Sequence, residues 1–120
     1  MSKHVTAYAS AARTATPTAV TVATGRYNYL TVVVDVTESA ATPSIVLTID
    51  ALDTVSGKYK TLLTSAAFTG SVETRRFTIS PSTVAVANLA ANDILADTIR
   101  ITMTHGDADS ITYSVGAHLR

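Results

Sequence analysis

YLTVVVDVT (Tyr29–Thr37) decides the fold. Leu30, Val32, Val34 and Val36 alternate with Tyr29, Thr31, Val33, Asp35 and Thr37, and nearly every residue is β-branched or aromatic. A period of two in such residues is the signature of a β-strand with one face turned into a core. Edge strands are usually blunted by charge or proline, so a valine-rich strand with an apolar residue on its second face as well belongs in the middle of a sheet.

Working outward, the same alternation recurs in short runs closed by turn residues. SIVLTIDAL (Ser44–Leu52) sets Ile45, Leu47, Ile49 and Ala51 on one face, and the link Glu38–Pro43 suits either a hairpin or a crossing between two sheets. DTVSGK (Asp53–Lys58), with Gly57 as turn residue, predicts a hairpin into a strand over Tyr59–Ala67. Further strands are expected at Val20–Val22, Thr74–Ser80, Asp97–His105 and Ser110–His118, the last two as a hairpin through GDAD. Between Pro81 and Asp97, Val84, Ala87, Leu89 and Ala91 suit either a short helix or a packed loop. Residues 1–16 carry Val5 and Tyr8 as their sizeable apolar groups and are expected as an extended arm, with at most a short strand over Val5–Ser10, ahead of a sandwich at 17–120. The expected fold is all-β: a single-domain, jelly-roll-like β-sandwich of seven to eight strands with little helix.

Composition narrows function. In 120 residues Lys plus Arg and Asp plus Glu balance at nine each, which argues against nucleic acid and anionic membranes as partners. Charged residues make up 15%, against about 25% in ordinary soluble domains. Such weakly charged faces suit burial against other subunits, so a homo-oligomer is expected. Without cysteine there is no disulfide or thiolate chemistry. No apolar run approaches the roughly 20 residues of a membrane helix, and MSKHVTAYASAAR lacks a signal-peptide core, which predicts a soluble protein made in the cytoplasm.

Searching for chemistry yields little. His105, Asp107 and Asp109 lie close together, and oxygen ligands at alternate positions can hold calcium; the better reading is a polar turn in which aspartates cap backbone N–H groups and Gly106 takes a positive φ, so no metal is assigned. His4 and His118 have no serine or cysteine in a nucleophile-elbow context. Asp35 and Asp50 would form a carboxylate dyad if their strands were neighbours, but read better as solvent-facing acids. The five tyrosines lack a tryptophan and do not cluster in sequence, which favours packing over sugar stacking. No enzyme and no cofactor is expected.

ASAARTATPT (Ala9–Thr18), SGKYKTLLTSAA (Ser56–Ala67), ANDILADTIRI (Ala91–Ile101) and above all HGDADSITYSVGAHL (His105–Leu119) resemble small virion proteins of tailed bacteriophages, chiefly those of actinobacteria, usually called head decoration proteins. Those proteins tend to carry an Arg-Gly turn ahead of the central strand; here it is Gly25-Arg26-Tyr27-Asn28, so no residue role is transferred from that turn. The resemblance implies a cement protein on the outer capsid surface, often a trimer, whose partner is the major capsid protein. The alternatives are a tail or baseplate β-sandwich and a carbohydrate-binding module for host-surface recognition. The contact residues expected on this reading are Val5, Tyr8 and Arg13 in the arm, with Tyr27 and Tyr29 at the turn.

Overall fold

The structure, a computed structural model, describes residues 2–120. Nine strands form among them: β1 (Lys3–Arg13), β2 (Val20–Ala23), β3 (Leu30–Ser39), β4 (Ile45–Asp53), β5 (Lys58–Thr64), β6 (Glu73–Ser80), β7 (Ala90–Asn92), β8 (Thr98–His105) and β9 (Ile111–Leu119). They make two sheets, ordered β1-β9-β3-β6-β7 and β2-β8-β4-β5. The chain changes sheet at almost every connection and stays in one at the β4–β5 hairpin and at β6–β7. With the short parallel β7 set aside, two four-stranded antiparallel sheets linked in this way are a jelly roll.

β3 lies at the centre of its sheet, between β9 and β6. Its Leu30, Val32, Val34 and Val36 are buried and meet Ala117, Val115 and Tyr113 on one side and Phe77 and Ile79 on the other. The facing layer is Ile45, Leu47 and Ile49 of β4 with Ile99, Ile101 and Met103 of β8. Each such side chain withdrawn from water contributes about 1.5–3 kcal/mol, which makes this interlayer the main source of stability.

Two expectations need correction. The stretch 1–16 is not an arm outside a sandwich at 17–120: β1 pairs antiparallel with β9 from Lys3↔Leu119 to Arg13↔Ile111. Register shifts between Thr6, Tyr8 and Ala11 turn Ala7 and Tyr8, consecutive residues, into the core, a bulge pattern that breaks strict alternation. β8 and β9 are not a hairpin but belong to opposite sheets, and the Glu38–Pro43 link is likewise a crossing. Of the two readings left open for the segment 81–97, the loop is the one formed, as turns around β7, with Asn88 at φ 64.

Candidate interaction surfaces

The crossings gather the loops at two ends. At one end, residues 14–19, 40–44, 65–72 and 106–110 meet: the His105 N–H donates to Thr16 Oγ1 (2.9 Å), Gly106 N–H to the Ser44 carbonyl (2.7 Å) and Ser39 Oγ to the Gly70 carbonyl (2.6 Å). Asp107 accepts the Asp109 N–H and Asp109 accepts the Thr42 N–H, so these carboxylates cap backbone. Gly106 does not have the positive φ expected of it; a Cβ there would approach the Ser44 carbonyl at 3.3 Å, a tight contact that a larger residue would have to relieve by a small shift. No group of three or more His, Cys, Asp or Glu that could hold a metal ion exists among the described residues.

His105 Nε2 lies 2.9 Å from the Tyr113 hydroxyl, and its Nδ1 is buried without a partner among the described residues. Burial lowers the His105 pKa from 6.5; the Arg13 guanidinium lowers it further and Asp107 opposes both. The neighbouring Tyr113 is pushed up to about 12, again chiefly by burial. A histidine whose folded pKa lies below its unfolded one contributes stability above pH 6.5 that is lost as pH falls towards the folded value. Urea midpoints should therefore drop between pH 7 and pH 5, and His105→Gln should reduce that drop; an unchanged slope would remove His105 as a cause.

The expected contact residues are largely used by the fold itself. Tyr8 is buried and donates to the Thr18 (2.9 Å) and Ile101 (3.1 Å) carbonyls, which ties β1 to the opposite sheet. Val5 and Tyr27 are half-buried against the core. Arg13 lies over the Tyr113 ring (4.6 Å) and donates to the Ala9, Ala11 and Tyr113 carbonyls. Tyr29 is half-buried beneath the Arg120 guanidinium (5.7 Å). Asp35 and Asp50 lie on different sheets and form no dyad: Asp35 accepts from Thr74 Oγ1, while Asp50, far from facing solvent, is 5% exposed and held by Arg100 (3.1 Å) and Thr61 (2.7 Å).

Two surface features were not anticipated. The first is an apolar ridge on the segment 81–95, where Val84 and Ile94 are 82% and 69% exposed and Val86 and Leu89 nearly half exposed. It flanks a groove of about 460 Å³ lined by Leu62, Leu63, Ala85, Ala87, Ala90 and Ala91. The ridge is held in place: Val86 and Ala90 exchange backbone hydrogen bonds at 2.9 Å, Asn92 Nδ2 donates to the Thr83 carbonyl and Asn88 Nδ2 to the Thr64 carbonyl. Residues 81–92 carry no charge, so this composition was the signal available in the sequence.

The second is a hollow of similar volume on the outer face of the β1-β9-β3-β6 sheet, lined by Ser2, His4, Tyr29, Thr31, Val33, Arg76, His118, Leu119 and Arg120. His4 and His118 are directly opposed across β1 and β9, with their Nδ1 atoms 2.6 Å apart. Reading residues 1–16 as an arm concealed that register.

The architecture defines a class, the jelly-roll β-sandwich. A chain from the structure of infectious bursal disease virus, Gx strain, is similar with a TM-score of 0.56 at 12% identity, over 99% of this chain. This chain spans 31% of the length of that one, and the likeness is one of fold. Neither a family model nor a curated protein matches the chain.

Proposed function

We propose that the protein is a virion structural protein, and within that class a decoration protein on the outer surface of a tailed-phage head. The observation that carries the reading is the jelly roll shared, over 99% of this chain, with a chain of a virus structure. The stretches resembling phage head proteins narrow the reading to phage. In this role the protein bridges major-capsid-protein capsomers, as a trimer, and stabilises the shell by shape and apolar contact rather than by charge. The rigid ridge at Val84, Val86, Leu89 and Ile94 is the surface best suited to such contact, because an apolar patch held rigidly in water is stabilised when a second surface covers it.

Two experiments test this. Purified protein mixed with empty heads should co-sediment through a gradient, and failure to do so, with label on tails instead, would transfer the protein to the tail or baseplate. Replacing Val84 and Ile94 with Asp should leave the fold intact, since both side chains lie outside the core, while dissociating any oligomer seen by light scattering and weakening head binding at least about tenfold. Unchanged mass and head binding would remove the ridge from the interface.

A further inference from the structure

The hollow beside the His4–His118 pair has the chemistry of an anion site. Arg76 projects from β6 opposite Val33, is exposed, and engages no carboxylate or carbonyl among the described residues. Arg120 is fixed by its backbone, which donates to the Tyr29 carbonyl (2.9 Å) and accepts from the Asn28 and Tyr29 N–H groups. No Asp or Glu lines the hollow; Asp35, on the same face of β3, is occupied by Thr74. Thr31 and Tyr29 supply hydroxyls, and Val33 an apolar floor.

The histidine pair adds a hydrogen-bond donor. With the two Nδ1 atoms 2.6 Å apart, one ring donates and the other accepts. In the neutral pair one Nε2 therefore lacks a proton. The ring that accepts at Nδ1 carries its proton on Nε2, which is therefore a donor. Two imidazoles fall short of the three or four protein ligands of an ordinary zinc site, and the flanking guanidiniums repel a cation.

We infer that this hollow binds a small oxyanionic group, a phosphate, sulfate or carboxylate, held by Arg76 and Arg120 and by a ring N–H of the His4–His118 pair. The site stands independently of where the protein sits in a virion.

Sulfate is the first probe, because its charge is constant around neutral pH. Histidine ring resonances of the full chain are followed by NMR as sulfate is added at constant ionic strength. His4 and His118 should shift together and saturate. Arg76→Gln should weaken binding about tenfold through loss of a bidentate partner, whereas Arg26→Gln, an exposed arginine outside the hollow, should not change it. Parallel titrations with inorganic phosphate and acetate separate tetrahedral from planar anions, and saturation by either supports the site. Shifts that never saturate with any of the three, or that are equally reduced by Arg26→Gln and Arg76→Gln, would reduce the effect to general screening and overturn the proposal.

Discussion

Val34→Asp should leave no folded protein. Val34 is fully buried at the centre of the central strand, between Val115 of β9 and Arg75 of β6 in register, with its side chain in the interlayer. The substitution removes about 1.5–3 kcal/mol of burial and places a carboxylate in the interlayer, where the in-register Arg75 is already bound to Glu73, at a cost of several kcal/mol more. A domain of this size has roughly 5–15 kcal/mol in total. Expression should yield aggregate or a chain without cooperative unfolding by circular dichroism. The matching change on the outer face, Thr31→Ser, should fold normally. A soluble, cooperatively unfolding Val34→Asp protein would mean that the other face of β3 is the one inside.

Arg100→Ala should be the next most damaging. Asp50 of β4 lies opposite Arg100 of β8, and Arg100 also covers the Tyr59 ring at 3.8 Å. A register shift between Ile49 and Asp50 brings Thr61 of β5 to the same carboxylate. Removing the guanidinium leaves a buried carboxylate with a hydroxyl partner, and since Arg100 is itself about a third exposed the loss is expected at about 2–3 kcal/mol, below that of a fully buried pair. Adding Asp50→Asn should recover part of it, because the unpaired charge goes while the Thr61 contact remains. Urea midpoints of the two single variants and the double variant give the coupling, and strictly additive losses would show that the pair is not coupled.

The strands that carry the core were legible because their chemistry is local. β3, β8 and β9 alternate in burial, β4 does so from Ile45 to Ile49, and the buried apolar residues are those the period of two selects. Connectivity was not legible in the same way. The link after His105 is short enough for a hairpin, yet it crosses between sheets, because in a jelly roll the partner of β8 is β4 and that of β9 is β3. β1 was hidden by its bulges: Ala7 and Tyr8 point inward in succession, and small residues around them weaken any pattern. Asp35 and Asp50 looked alike in sequence, and tertiary placement separates them, one exposed to Thr74 and water, the other buried on Arg100. The candidate surfaces were the least legible, since the His4–His118 pair joins residues 114 apart and the ridge at 84–94 reads as a helix or loop until its backbone is fixed.

The most direct test of the virion assignment is cryo-electron microscopy of purified particles from cells expressing the protein with its phage. The account predicts density on the outer shell, repeated at capsomer junctions, into which the nine-strand jelly roll fits with the Val84–Ile94 ridge against a neighbour. Particles that are complete and infectious with no copy of this chain in shell or tail would contradict it.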